Sequence, residues 1–359
     1  MVITIVGGGN IGTQLAVHCA EQGHSVIMYS SKPTMFNGDL FIVDESNDII
    51  HSGHLYKASH EPSEAFESAE LVLVTVPSLM METVSGVMAP WLNADAVIGV
   101  VPGNGGSECA FKSIIESGHT FFAIERVPAV ARLVEYGKVV RCVGYREELH
   151  VSALPNAETQ KCCELVESLF GIPCTALPCF LCMTLTPSNP ILHTSRLKTI
   201  FADYKEGVTY ESLPLFYDEW DDNSSKLLLA MDDEVQAVCS ALMQFNLSGV
   251  KSLREHYESP DVPSMTKKIS SIKAFKGLGT PCIEIENGLI PDLDSRYFTA
   301  DFSYGLSIIK QIAEFAGVNT PYIDEVLKWY EEIKTHHEQF DYGRYGITDL
   351  ESFVEFYSL

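Results

Sequence analysis

Along the first half of the chain, short apolar β-rich runs alternate with segments of helical periodicity. This alternation marks a mainly parallel sheet covered by helices on both faces. Val2–Val6 reads as the first buried strand, residues 10–22 as a helix and residues 25–30 as the second strand. Residues 71–76 and 96–101 read as two more strands, bounded by Pro77 and Pro102, and residues 121–125 continue the series. Between them, residues 40–56 carry turn residues around Asn47 and Gly53 and read as a hairpin-like excursion. Residues 138–145 and 172–177 are the last strand candidates, separated by a helical pattern over 158–170. After Thr186 the pattern turns to long amphipathic helices, among them residues 226–245, 303–316 and 322–334. The expectation is an α/β domain over residues 1–185 followed by an all-α domain over 186–359. No Gly/Ser linker joins them, so a shared cleft is expected. No internal repeat is present.

Composition narrows the classes. The chain has 359 residues, 46% of them hydrophobic, which excludes a disordered chain. With 48 acidic against 24 basic side chains its formal charge is −24, which repels nucleic-acid phosphates and anionic lipid surfaces. Nucleic acid is therefore not an expected partner. Apolar runs such as residues 71–76 fall far short of the roughly 20 residues of a membrane span. The N-terminus runs from Val-Ile-Thr-Ile-Val directly into glycines without a signal-peptide pattern, and a cytoplasmic location is expected. Ten cysteines, scattered and partly in apolar runs, read as reduced thiols.

The sharpest motif is Gly7-Gly8-Gly9-Asn10-Ile11-Gly12, a G-x-G-x-x-G directly after a strand and opening a helix. That is the context of a Rossmann-type dinucleotide-binding domain. Gly7 permits the tight turn, Gly9 lets the backbone approach a pyrophosphate, and Gly12 allows close helix–sheet packing. The free N–H groups of Asn10 and Ile11 at the helix start face the phosphate charge. At the end of the second strand, where an acidic residue would bind a ribose 2′-hydroxyl, stand Tyr29-Ser30-Ser31-Lys32. Two hydroxyls and an ammonium there favour NADP; in the alternative, Lys32 is a solvated charge and NAD binds through Ser30. Val76-Pro77 and the glycine-rich turn Pro102-Gly103-Asn104-Gly105-Gly106 lie at strand ends facing the expected nicotinamide.

His193 is the candidate acid/base residue. Asn189 can cap a helix whose first position is Pro190, which sets His193 in the first turn beside Asn189, Arg196 and Leu197. The partner proposed for it is Asp301, in the first turn of a helix capped by Thr299. There the carboxylate would orient the imidazole and stabilise its protonated form. Gly305, one turn later, implies a close approach to the backbone.

Several segments together resemble the opine dehydrogenases, the octopine and nopaline dehydrogenase family. They are Gly7 to Gly12, Thr186-Pro187-Ser188-Asn189-Pro190-Ile191-Leu192-His193, Phe216-Tyr217-Asp218-Glu219-Trp220, and the run from Arg296 to Leu306 that includes Asp301 and Gly305. Glu125-Arg126-Val127-Pro128 and Arg132 resemble a further family segment. The resemblance covers most of the chain. It implies a nicotinamide-dependent reduction of the imine formed between an amino acid and a 2-oxo acid. It implies His193 as the proton-transfer residue, Asp301 as its partner and Arg296 as a binder of a substrate carboxylate, with Asn189 as a further substrate contact. One departure is that Thr194 stands where many members have proline after the histidine.

Other features are assigned to structure. Cys179-Phe180-Leu181-Cys182, with Cys162-Cys163 and Cys174, lacks a second spaced pair for zinc and reads as buried thiols in an extended apolar run. His336-His337 has no ligand spacing, and no metal site is expected. Asp221-Asp222 reads as a helix cap, and Phe216, Tyr217 and Trp220 as cleft lining or core. Two other functions stay open: a 2-oxo acid or hydroxyacid reductase of the ketopantoate reductase type, in which Lys198 would be the proton donor, and a dinucleotide sensor without turnover. The expected partners are small amino acid and 2-oxo acid substrates.

Overall fold

The structure is a computed structural model that describes the chain except Asn104, Pro187 and residues 335–337, and except the side chains of Ser188 and Ala274. Asn104 in the second glycine turn, Pro187 before the His193 helix and the His336-His337 pair therefore lie outside the described residues. Two compact units are present: Met1–Met183 with Tyr357–Leu359, and Thr184–Phe356.

The strands of the first unit are β1 (Val2–Val6), β2 (Ser25–Tyr29), β3 (Asp39–Val43), β4 (Ile49–His54), β5 (Lys57–Ser59), β6 (Leu71–Val74), β7 (Val97–Val100), β8 (Phe121–Ile124), β9 (Val130–Glu135), β10 (Val139–Val143), β11 (Leu149–Leu154) and β12 (Cys174–Ala176). Eight of them form one sheet in the order β12-β11-β8-β7-β6-β1-β2-β5. From β5 to β8 every pairing is parallel; β11 then runs antiparallel to β8. The order is that of a doubly wound dinucleotide fold, and it reverses between β1 and β6. There the carboxyl ends of the strands open a crevice. β6 is buried at every position, as a strand covered on both faces requires.

β4, β3, β10 and β9 form a second sheet, packed on the helix Asn10–Glu21. The β3/β4 hairpin is the excursion read over residues 40–56. β10, read as the next strand of the main series, belongs instead to this second sheet, paired with β3 and β9. The pattern did not reveal β9 or β11: β9 is half exposed, and His150 and Ser152 interrupt the apolar run of β11.

The second unit is built on the helices Ser188–Ile200, Asp222–Ala241, Val262–Ser270, Ser307–Phe315 and Pro321–Ile333. Its core includes stacked rings, with Phe302 centred 4.2 Å from Tyr330 and 5.7 Å from Phe298. Asp221 caps the second helix by accepting from the Ser224 N–H at 2.7 Å. The unit is helical, as expected, and carries one short antiparallel hairpin, β13 (Cys282–Ile285) with β14 (Gly288–Pro291), that the sequence did not signal. β13 is exposed throughout and offers no buried stripe to read. The expected span to residue 359 is shortened as well: Tyr357 belongs to the first unit, where its hydroxyl donates to buried Glu108.

All ten cysteines are free. The Cys179/Cys182 pair is not extended, because a helix spans Phe180–Leu185 and brings the two sulfurs to 3.9 Å. The Cys182 thiol and the backbone N–H groups of Cys182 and Leu181 stabilise the Cys179 thiolate, so its pKa falls to about 7 despite burial. Among the described residues no helix is long and apolar enough to cross a membrane.

Candidate active site

The glycine turn is built by sterics. Gly7 has φ +104°, and its N–H donates to Tyr29 O at 3.0 Å across the β1/β2 ladder. A Cβ on Gly12 would sit 1.7 Å from the Gly7 carbonyl oxygen, so only glycine lets the helix return this close to the turn. The Thr75 hydroxyl ties the turn to the end of β6 by donating to Val6 O at 2.9 Å and Gly7 O at 3.2 Å. Gly9 is the N-cap of the helix Asn10–Glu21, with no side-chain cap bond and no acid in the first turn. A Cβ there would meet nothing within 4 Å. The first N–H groups, those of Asn10, Ile11 and Gly12, have no intrahelical acceptor, and the positive end of the helix dipole is uncapped. These residues fit a pyrophosphate. Val76 is half-buried and Pro77 exposed, both just past the end of β6. Asn10 is engaged elsewhere as well, its Oδ1 accepting from Leu133 N at 2.7 Å.

After β2 the chain presents no carboxylate in the Ser30 to Lys32 segment. Ser30 is buried; its Oγ accepts from Lys32 N at 3.1 Å and pairs with the Tyr136 hydroxyl at 3.2 Å. Ser31 and Lys32 are exposed, with Lys32 Nζ 5.5 Å from the centre of the Tyr136 ring. The Ser30 hydroxyl is thus committed to shaping the turn, while Ser31 and Lys32 face solvent.

The second unit brings the proposed acid/base pair together. His193 Nδ1 lies 2.7 Å from Asp301 Oδ2, with the side chains only 5% and 15% exposed. The carboxylate can only accept when ionised, so Nδ1 carries the proton and Nε2 offers its lone pair. A third group meets that lone pair: the Tyr217 hydroxyl is 2.8 Å from Nε2. Burial, with smaller contributions from Tyr297, Tyr257 and Asp301, pushes the Tyr217 phenol far above its ordinary pKa, so it stays protonated and donates. Tyr297 and Phe216 wall the imidazole at 4.5 and 5.8 Å between ring centres, and Phe275 stacks on Tyr217 at 4.4 Å.

Local structure explains how the three converge. The helix begins at Ser188, so Asn189 and Pro190 lie inside its first turn; Asn189 is not the cap, and His193 sits two residues deeper than expected. With Thr194, the helix accommodates a side chain whose hydroxyl donates to Pro190 O. One turn after His193, fully buried Arg196 fastens the segment that carries Tyr217. Its guanidinium donates to Phe216 O at 3.0 Å, Glu219 O at 2.6 Å, Asp221 Oδ2 at 3.2 Å and Ser224 Oγ at 3.1 Å.

Thr299 does not cap the helix after it. It lies within the short helix Arg296–Thr299, and its hydroxyl donates back to Ser295 O. Asp301 instead caps a π-helical turn, Phe302–Leu306, with Leu306 N donating to Asp301 O at 2.7 Å. The close approach implied by Gly305 is made by Pro190: a Cβ at 305 would come 2.8 Å from Pro190 Cγ. That contact lets the Asp301 segment reach the His193 helix. The sequence reads Tyr217 as cleft lining or core, and nothing beside it in the chain signals a hydroxyl aimed at an imidazole 24 residues away.

Arg296 is exposed, its guanidinium 5.8 Å from the centre of the Tyr297 ring, and it forms no ion pair among the described residues. Asn189 is half-buried, one turn before His193. Lys198, its side chain 18% exposed, lies 4.0 Å from Glu325 and 5.6 Å from the Trp329 ring centre.

A doubly wound dinucleotide fold, a glycine turn shaped for a pyrophosphate, and a buried Asp–His pair in a helical unit define an NAD(P)-dependent dehydrogenase. Comparisons with known proteins narrow the class. Residues 2–103 match the family described as NAD-dependent glycerol-3-phosphate dehydrogenase N-terminus. Residues 176–334 match the NAD/NADP octopine/nopaline dehydrogenase alpha-helical domain. Octopine dehydrogenase of Mizuhopecten yessoensis is 28% identical over 76% of this chain and 72% of its own. Tauropine dehydrogenase of Arabella iricolor is 24% identical over 93% of this chain and 91% of its own. The solved octopine dehydrogenase complex with NADH and L-arginine superposes with a TM-score of 0.86 at 23% identity, covering 99% of this chain and 98% of that one, a likeness of fold. Over most of its length the chain is similar to the opine dehydrogenases, and its residues 176–334 match that family's helical domain.

Proposed function

We infer that the protein catalyses the NAD(P)H-dependent reductive condensation of an amino acid with a 2-oxo acid, producing a secondary amine with two carboxylates. The observation that carries this reading is His193, held between Asp301 and Tyr217 in a buried aromatic setting. Related octopine dehydrogenase structures hold NADH with L-arginine or with pyruvate, one substrate of each kind.

The nicotinamide, when bound, supplies the hydride. The protein's part is proton management and orientation. The imine carbon gains the hydride, and the nitrogen keeps the electron pair of the C=N bond and needs a proton for neutrality. His193, protonated on Nε2, can donate that proton and take it back in the reverse direction, with Asp301 stabilising the imidazolium. A placed general acid of this kind contributes roughly 10²–10⁴-fold in rate. Tyr217 holds the Nε2 edge until a substrate takes its place, or passes the proton itself. Arg296 offers a planar fork for a substrate carboxylate, and Asn189 a neutral hydrogen-bonding group one turn before the imidazole. Gly7, Gly9, Asn10, Ile11 and Gly12 are assigned to the pyrophosphate, and Val76 and Pro77 to the strand end beside it. Ser31 and Lys32, with Ser30 bracing their turn, are assigned to the 2′-phosphate of NADP; without that contact the same turn accepts NAD.

The test is cofactor oxidation with pyruvate or 2-oxoglutarate, with and without a panel of amino acids. Turnover that requires both substrates is expected. Turnover with the 2-oxo acid alone would favour a hydroxyacid reductase. Cofactor binding without oxidation under any combination would favour a sensor.

A further inference from the structure

We propose that His18, Glu21 and His51 form a binding site for a divalent transition-metal ion of the zinc type. His18 and Glu21 lie three residues apart on the helix Asn10–Glu21 and share one of its faces. His51 comes from β4, a strand packed so tightly on that helix that a Cβ at Gly53 would stand 2.7 Å from Ala20 Cβ and 3.0 Å from Val17 O. One ligating atom from each of the three residues lies within 4.8 Å of the other two. Within the cluster His51 Nδ1 and Glu21 Oε2 are already 2.7 Å apart.

A second, independent observation points to a missing ligand. His18 is only 7% exposed, and its Nε2 is buried with no hydrogen-bond partner among the described residues. Buried imidazoles normally satisfy their ring nitrogens. The ring is also held in place: His51, Tyr145 and Phe170 meet it edge-on at 4.8, 5.9 and 6.2 Å between centres. His18 thus brings a fixed ring with an unsatisfied nitrogen to the cluster, while His51 and Glu21, with side chains 33% and 37% exposed, can adjust.

The donor set selects the ion. Two neutral imidazoles and one carboxylate suit zinc and its neighbours rather than calcium or magnesium, which demand oxygen ligands. With metal–ligand bonds of about 2.0–2.1 Å, the donors of a tetrahedral site stand roughly 3.3–3.4 Å apart, so binding opens the 2.7 Å contact between His51 Nδ1 and Glu21 Oε2 and closes the wider separations of the cluster, which lie within 4.8 Å. Binding displaces the proton shared by His51 and Glu21. Three protein ligands leave a fourth position for water. The net charge of −24 favours cations near the surface. The ion would clasp the second sheet to the helix that opens with the glycine turn. Sequence spacing did not show this site, because residue 51 reaches the helix only through the β3/β4 excursion.

The test uses the full chain with its thiols reduced, titrated with Zn²⁺ by calorimetry and with Co²⁺ by absorbance, each followed by thermal unfolding. One equivalent is expected to bind and raise the melting temperature. Cobalt should show ligand-field bands of nitrogen and oxygen ligation without a thiolate charge-transfer band. H51Q, at a partly exposed position that should not disturb folding, is expected to weaken binding by about 10–100-fold, and E21Q by a similar factor. H18Q completes the set if it folds. Absence of saturable binding, affinity unchanged in H51Q and E21Q, or a thiolate band would each overturn the proposal.

Discussion

His193 Nδ1 and Asp301 Oδ2 stand 2.7 Å apart although 108 residues separate them. Buried almost completely, the pair gives the imidazole one tautomer and one orientation, and leaves Nε2 free of the carboxylate. Tyr217 is the group on that nitrogen, and Arg196 holds the segment that delivers it. The His193–Asp301 pair is therefore part of a four-residue construction in which Arg196 fixes the segment that places Tyr217 on Nε2.

His193→Gln is expected to lower kcat by about 10²–10⁴-fold while cofactor affinity is retained. Asp301→Asn should fall in the same range, because an amide can present a donor to Nδ1 and favour the other tautomer. Steady-state kinetics alongside cofactor titration checks both. Unchanged turnover in His193→Gln would remove the residue from the mechanism.

Tyr217→Phe separates positioning from packing. The ring and its stacking on Phe275 are kept, but Nε2 loses its partner in the resting protein. A stability loss of about 1–3 kcal/mol is expected from the unsatisfied nitrogen. If Tyr217 also passes the proton, kcat falls more than KM rises and the pH profile of kcat changes shape. A pure loss of stability with an unaltered profile confines it to a structural part.

Gly12→Ala places a methyl group where 1.7 Å separates it from Gly7 O, so the turn or the helix must shift. Thermal unfolding should report about 1–3 kcal/mol of destabilisation, and cofactor fluorescence should report lost binding. Full affinity in this variant would mean the turn does not hold the pyrophosphate.

Lys32→Ala tests cofactor choice. A charge-assisted bond to a 2′-phosphate contributes about 1.5–3 kcal/mol, so kcat/KM with NADPH should drop roughly tenfold or more while that with NADH holds. Equal effects on both cofactors would assign Lys32 to the solvated surface and favour NAD.

Asp232 predicts a pH dependence of stability. It is fully buried; its Oδ2 accepts from Leu253 N at 2.9 Å, and Oδ1 has no partner among the described residues. Burial raises its pKa from 3.8 to about 6, against the opposing Leu253 bond. The folded state therefore binds the extra proton between those values, and stability falls as pH rises through that window. Asp232→Asn should be more stable by up to about 3 kcal/mol above pH 6, with the difference vanishing below 3.8. Denaturant unfolding across that range measures it.

The local order of the sequence determined much of this protein. Apolar runs buried on both faces marked β1, β6 and β7, and the spacing of Gly7, Gly9 and Gly12 marked the tight turn between β1 and its helix, because a turn's sterics act over a few neighbours. Their residue types and helix-start settings marked His193 and Asp301 as candidate partners, while their 2.7 Å contact came from the fold. Tertiary structure decided the rest. β10 joined the second sheet because strand partners are chosen by packing rather than by chain order. The expected caps at Asn189 and Thr299 gave way to a helix starting at Ser188 and to a π-helical turn after Asp301, where Gly305 lies against Pro190, a contact between segments distant in sequence that local capping preference does not encode. The hydroxyl of Tyr217 and the imidazole of His51 acquired their partners only through folding, since what an aromatic or imidazole touches depends on chain brought from elsewhere.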